Sequence, residues 1–580
     1  MAISSDSHSA GEAVHADFEP RSTSPGMPDD PAARCPMEAS AREDFVPNGR
    51  RIELAATAFV VLGVLLRVGH YLANYPVWGD EAFLALNFLD RGYLDLLLPL
   101  KYAQICPILF LWAELTAVKL FGFSEMSLRL CPLLCGVGSV FLFRHVAARV
   151  LKGPAMLLAV AIFAVSIHPI RHSADVKPYA SDLLVALVLV ALAIEWCRSS
   201  QKTGWLWLLV GFTPIALAAS YPAILVAGGI ALALAPSVWK TRRRGPMIAL
   251  AAYVVIVATT FAALFVVYVH RQRGSGALPA LQRYWADSFP PLDSPVRLVS
   301  WLITTHAGSM FAYPWGGSHG ASTATLIVVL IAGIVLLRRQ QGTVLSLLVM
   351  PMGVALAAAA LRLFPYGGEA RIMQYLAPAI CLMAGLGLST LIGLLLRSGG
   401  RAAVVKVAAM TLAIVGVVVL MDEFRHPYRA IYDYQVREFA RRFWPEQAQG
   451  VELACVQWDY GIVHRRAAVA RTALYLCNQH IYSPIRRRGG GPHWSLVTPD
   501  RPLRCVVFDD VHLNCPQTTA WLESMQANYD LRGRRDLVVR TMGLDSKPWE
   551  DHVFVFEFEP KPHRQAEQIA TGAAAHRNPR

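Results

Sequence analysis

AQICPILFLWAELTAVKLF, residues 103–121, decides how this chain is threaded. It is apolar enough to pass for a membrane span, yet Pro107, Glu114 and Lys119 interrupt it. One extra crossing would invert the side assigned to everything downstream. The chain around it has 580 residues, of which 54% are hydrophobic and 16% charged, with a mean hydropathy of +0.39. A soluble domain averages about 25% charged and about 45–50% apolar residues. Charges are too few here to cover so much apolar surface, and the composition indicates a polytopic membrane protein.

A bilayer core takes about 20 apolar residues, within a range of roughly 17–25. Eleven segments meet that demand: 52–73, 127–143, 153–170, 181–197, 204–219, 221–236, 246–269, 321–337, 343–361, 372–396 and 402–421. Five connectors, 144–153, 197–204, 240–245, 338–342 and 397–406, carry fourteen Lys or Arg and no Asp or Glu. Positively charged loops stay in the cytoplasm, and Arg50 and Arg51 place the N-terminus there as well. These assignments agree only if 103–121 does not cross, so it is expected to lie at or dip into the interface. Loops 74–126, 168–180, 270–320 and 362–371, with the tail from 422, then share the extracytoplasmic side of an inner, cytoplasmic membrane.

Residues 1–50 lack an apolar core and a cleavable signal peptide, and read as a disordered cytoplasmic tail. The multi-span domain covers 51–421. From 422 the composition changes: β-like runs such as VELACVQW, LRCVVFDDV and HVFVFEFEP alternate with the helix-like YDYQVREFARRFW. A soluble extracytoplasmic α/β or α+β domain is expected over 422–562, followed by a disordered end, 563–580. Cys455, Cys477, Cys505 and Cys515 fall in this domain. Two disulfides, in any of three pairings, and four buried thiols are both open. The net charge of +13 comes from short clusters between apolar runs, a topology signal, and no nucleic-acid motif accompanies it.

On the outer side two adjacent carboxylates, Asp80 and Glu81, stand in YPVWGDEAFLALNFLDRGY (75–93), just where the chain leaves the first span. Further boundary segments follow: LLLPLKYAQICPILF (96–110), FGFSEMSLRLCPLL (121–134), HPIRHSADVKPYASD (168–182) and FPYGGEARIMQYLAP (364–378). Ionisable residues at membrane depth are costly and are functional candidates by default. Lys101, Arg129, Arg171, Lys177 and Arg371 converge on the side that should be poorer in basic residues. Such a cluster suits a phosphate.

An Asp-Glu pair in the first outer loop, a Pro-bearing apolar helix, FGxSExxxRLxPLL and a basic loop ending in Pro-Tyr occur in that order. This resembles the GT-C fold membrane glycosyltransferases, chiefly the branch of protein O-mannosyltransferases and lipid A aminoarabinose transferases. The resemblance covers roughly residues 50–420 and is carried mainly by 75–185. It implies a sugar donor on a polyprenyl phosphate, an acidic residue of the first outer loop as base, and first-loop helices along the membrane surface. The family often has a Lys- or His-Pro-Pro motif near Gln104 and Pro107; here one proline remains, with Lys101 upstream.

The chemistry demands the same parts. An attacking hydroxyl needs a carboxylate beside it, and a departing phosphate needs fixed cations. Asp80 is the expected base, with Glu81 as helper or helix-start residue. Arg129, Arg171, Lys177, Arg371 and Lys101 are the donor-phosphate candidates. Tyr179, Asp182, Gln104 and Glu369 are expected to touch substrate. Glu125 is a pairing partner for Arg129, and Glu369 for Arg371. The leaving group needs no proton, so one carboxylate suffices and the transfer inverts. No cofactor is required, and no Cys/His spacing marks a metal site, though Mg²⁺ or Mn²⁺ stays open. The acceptor is a lipid, glycan or protein. Two rival readings are a lipid-linked glycan flippase or other transporter, which should show internal repeats, and a surface-glycan polymerase or ligase. The latter is marked by one very large outer loop; here the largest is about fifty residues.

Overall fold

The computed structural model describes residues 49–273, 282–316, 322–396, 398–425, 430–456, 466–483, 502–508, 513–514, 516–542 and 547–561. Residues 1–48, 484–501 and 562–580 and Cys515 lie outside these residues; Gly49 and Arg50, the end of the tail expected to be disordered, are helical.

Every predicted apolar segment is helical. In chain order the first part holds α1 (Gly49–Leu72), α2 (Gly79–Ala85), α3 (Ile108–Phe121), α4 (Leu130–Val150), α5 (Gly153–Ala164), α6 (Ile167–Arg171), α7 (Tyr179–Arg198), α8 (Gly204–Ala219), α9 (Ala223–Thr241) and α10 (Arg244–Leu264). Then follow α11 (Pro295–Thr305), α12 (Thr323–Arg338), α13 (Gly342–Ala360), α14 (Ala377–Leu395) and α15 (Ser398–Arg425). Among the described residues eight helices are long and apolar enough to cross a bilayer, and the bent pair 153–164 with 167–174 makes a ninth. The protein is integral to a membrane. The expected eleven would include α8 and α12, apolar helices of sixteen residues each.

The deciding segment folds as α3, fourteen residues opened by Pro107 and closed by Gly122 at φ +78°. At 1.5 Å per residue it is about 21 Å long, short of the roughly 30 Å hydrocarbon core. It buries Phe110, Leu111, Glu114 and Leu115 inside the protein. Among the described residues no hydrogen-bond partner reaches either Glu114 oxygen, and burial pushes its carboxyl well above the usual carboxylate range.

Helices in lipid gain little from burying apolar surface against one another, so close packing over small residues holds them. At the centre is α5, buried from Ala155 to Ala164. A Cβ on Gly63 of α1 would come within 3.1 Å of Ala164, and one on Gly385 of α14 within 2.5 Å of Ala159. The α5–α6 break bends by 50°. It is served by Arg67, fully buried in α1, which donates to the carbonyls of Gly63 (2.8 Å) and Ala164 (3.2 Å). A cation at the carbonyl end of α5 meets the negative end of its dipole.

The C-terminal part pairs four strands in the order β1-β2-β4-β3: β1 (Glu452–Val456), β2 (Leu503–Phe508), β3 (Tyr529–Met542) and β4 (Pro548–Pro560). β1 runs parallel to β2, and β4 is antiparallel to both β2 and β3. Helices α16 (Ile431–Gln447), α17 (Arg466–Tyr482) and α18 (Pro516–Met525) complete it. Cys477 and Cys505 are buried, while the side chain of Cys455 and all of Cys515 fall outside the described residues. Trp444, Leu474 and Val555 of this domain share one apolar cluster with Val77, Leu84 and Leu111 of the first loop. The first loop is thus held between the membrane helices and the sheet domain, which positions the residues that follow.

Candidate active site

Asp80 and Glu81 open α2, where exposed backbone N–H groups and the helix dipole favour acids. About 100° of helical turn separates neighbouring residues, and that rotation divides the pair. Glu81 points inward and is fully buried. Its Oε2 meets Arg129 Nη2 at 2.8 Å and accepts from the Trp78 N–H at 3.3 Å, and its Oε1 accepts from the Val176 N–H at 2.8 Å. Arg129, 2% exposed, also donates to the carbonyls of Tyr75 and Pro76. The pair ties the segment leading into α2 to the loop before α7.

Asp80 points outward. Its side chain is 34% exposed, and its Oδ1 lies 3.1 Å from Lys177 Nζ. Lys177 is anchored in turn by donating to Gln104 Oε1 at 2.8 Å. Tyr179 lies within electrostatic reach of Asp80, Asp175, Glu369 and Arg371. Arg371 pairs with Glu369 at 2.5 Å, accompanies the Tyr284 hydroxyl at 3.0 Å and stacks over the rings of Trp78 (5.8 Å) and Trp285 (5.5 Å). An acid with a water-facing edge thus stands between a lysine and an arginine, each held by its own partners.

Of the residues singled out in the sequence, Asp80, Lys177, Gln104, Tyr179, Glu369 and Arg371 come together. The other candidates do not join them. Arg129, expected at the donor phosphate, is paired with Glu81. Arg171 bonds Glu423 on α15 at 2.6 Å. Lys101 pairs with Asp90 at 2.8 Å, both about one-third exposed. Asp182 is buried one turn into α7 beside Ser220, and among the described residues no hydrogen-bond partner reaches its Oδ1. Glu125 does not pair with Arg129; it accepts the Tyr482 hydroxyl of α17, a contact formed between domains.

Three participants were not expected. Asp175 is buried and accepts from His172 Nδ1 at 2.7 Å, and Trp285 and Tyr284 form one wall. Asp175 sits two residues before Lys177 and could have been read from HSADVKPY. The aromatic wall comes from a loop more than a hundred residues away and left no local signal. Beside the site, Tyr221 and Tyr268 both donate to the Cys106 carbonyl (2.9 and 2.7 Å), two residues after Gln104. They line an apolar groove together with Ile108, Leu217, Phe261 and Phe265. Among the described residues no group of three His, Cys, Asp or Glu side chains is placed to hold a metal ion.

No protein-family model and no curated protein matches the sequence. Solved structures do. The chain is similar to ArnT from Cupriavidus metallidurans bound to undecaprenyl phosphate, with 13% identity and a TM-score of 0.48 over 88% of this chain and 98% of that one. It is also similar to the archaeal oligosaccharyltransferase AglB from Archaeoglobus fulgidus in complex with an inhibitory peptide and a dolichol-phosphate. There the identity is 9% and the TM-score 0.45, over 85% of this chain and 74% of that one. The Archaeoglobus fulgidus oligosaccharyltransferase complex with Zn and sulfate matches at 10% identity and a TM-score of 0.42, covering 86% and 72%. At these identities the likeness is one of fold.

Proposed function

We propose that this protein is an inverting membrane glycosyltransferase. It moves a hexose or pentose from a polyprenyl-phosphate donor to a lipid, glycan or protein acceptor at the extracytoplasmic face of the cytoplasmic membrane. The observation that carries the reading is the half-exposed Asp80 held 3.1 Å from Lys177, with Arg371 on the facing wall. An acid and two cations at a membrane boundary match a reaction that takes a proton from a hydroxyl and sheds a phosphate.

In this reading the acceptor hydroxyl gives its proton to Asp80 as its oxygen bonds to the anomeric carbon. The bond from that carbon to the phosphate oxygen breaks on the opposite face, and its electron pair leaves with the polyprenyl phosphate. Lys177 and Arg371 face the growing phosphate charge, with no reorganisation needed because Gln104, Glu369 and Tyr284 already hold them. Glu81 and Arg129 fix the loop that aims Asp80. The groove lined by Tyr221 and Tyr268 is assigned to the first isoprene units of the donor. The N-terminus is cytoplasmic and the C-terminal domain covers the site from outside. A monophosphate met by two fixed cations needs no metal, so EDTA should leave turnover unchanged; loss of turnover restored by Mg²⁺ or Mn²⁺ would contradict this.

The test is a donor panel. Purified protein in nanodiscs is incubated with polyprenyl-phosphate sugars and cell-envelope extract, and released polyprenyl phosphate is followed by mass spectrometry. Release from one donor, with the product anomer inverted by NMR, is the expected result. No release from any donor by folded protein would overturn the reading in favour of transport.

A further inference from the structure

The amphipathic helix α11 (Pro295–Thr305) presents its apolar face outward, the reverse of a soluble helix. Val296 is 79% exposed, Val299 56% and Ile303 60%, and Leu292 just before the helix is 62% exposed. At about 100° per residue the three helical residues fall within an arc of about 60°. Arg297, Ser300 and Thr304 occupy the next arc and are exposed and polar. The remaining arc faces the protein: Thr305 is buried, and Trp301 donates from its ring N–H to the Asp287 carbonyl at 2.9 Å and packs 6.1 Å from Tyr366.

A helix with one apolar, one polar and one protein-packed sector meets three surroundings at once. Eleven residues span about 16 Å, too short to cross a bilayer. An exposed apolar arc beside an exposed polar arc is the pattern of a helix lying in the membrane plane. The apolar arc continues the outward-facing belt of the spans, where Leu361 and Leu363 at the end of α13 are likewise exposed.

We infer that the apolar face of α11 is a lipid-docking surface, seated at the boundary between head groups and acyl chains of the outer leaflet. Its inner face bears directly on the turn that carries Glu369 and Arg371. Gly367 and Gly368 adopt φ +72° and +75°, and a Cβ on either would meet Thr305 or Ser288 at 2.1 Å. The Tyr366 N–H donates to the Ser288 carbonyl at 2.9 Å. Lipid under α11 therefore fixes the depth of the Arg371 wall.

The test uses the full chain in nanodiscs of phosphatidylethanolamine and phosphatidylglycerol, with a photo-crosslinking residue placed singly at Val299, Ile303, Arg297 or Thr304. Mass spectrometry should find lipid adducts at 299 and 303 in at least tenfold excess over 297 and 304. Equal yields at all four positions, or adducts to a second copy of the chain in place of lipid, would overturn the inference. In parallel, Val299→Asp should raise hydrogen exchange over 364–372 several-fold while exchange in α5 is unchanged; unaltered exchange over 364–372 would remove the coupling. Neither readout involves turnover, so failure here is distinguishable from failure of the transferase reading.

Discussion

Asp80 and Glu81 are the same chemistry one residue apart, and the fold gives them opposite surroundings. Glu81 is sealed from water against a buried arginine and two backbone N–H groups. Asp80 keeps an edge in solvent and meets a lysine that is itself held from behind. A buried ion pair loses heavily when one partner goes, because the other charge is left unpaired. A partly solvated acid costs little to neutralise but is free to take a proton. The contrast teaches that the helix turn, not the residue type, decides which carboxylate is sealed into the loop and which keeps an edge in water.

The sharpest way to break this contrast is at the buried pair. Arg129→Ala or Glu81→Ala should cost about 3–5 kcal/mol, seen as lost folded yield and a lowered melting temperature. If either variant folds like wild type but is inactive, the pair belongs to catalysis. Asp80→Asn should leave the melting temperature within a degree or two and lower turnover by about 10²–10⁴-fold. Lys177→Met should lower kcat by about 10²–10³-fold, as for loss of one preorganised charge stabiliser, with Lys177→Arg recovering part of it. Equal kcat with a raised KM alone would make Lys177 a ground-state binder.

The smallest effect is expected at Glu114, which is buried like Glu81 but has no hydrogen-bond partner among the described residues. Its folded-state pKa lies above the unfolded value, so the native protein holds a proton that the unfolded chain releases. Stability should fall as pH rises above the unfolded carboxylate range, with a slope of at most about 1.4 kcal/mol per pH unit. Glu114→Gln should flatten that slope and raise the melting temperature at neutral pH; an unchanged pH profile would mean the carboxyl is ionised in place.

The membrane architecture was largely legible because lipid demands apolar length, and every apolar segment read from the sequence is helical. The segment 103–121 was expected at the interface; its helix α3, bounded by Pro107 and Gly122, has fourteen residues and is not among the helices long enough to cross a bilayer. In the C-terminal domain β1, β2 and β4 were visible as apolar runs. β3, DLRGRRDLVV at its centre, was not, because it is an edge strand with Arg and Asp on solvated faces. Within the site, local segments showed Asp80, Lys177 and Tyr179. They did not show which cations reach Asp80. Arg129 and Arg171 look equivalent to Lys177 in the sequence, and only the packed structure reveals that Glu81 and Glu423 take them. Glu423 lies 252 residues from Arg171, so no spacing rule connects them.

The central claim is that Asp80 takes the acceptor proton. Its most direct test measures donor binding and polyprenyl phosphate release on wild type and Asp80→Asn in the same nanodiscs, with the donor identified by the panel. The account predicts an unchanged donor Kd and a release rate lowered at least a hundredfold in the variant. Equal release by both proteins would contradict it and remove Asp80 as the base.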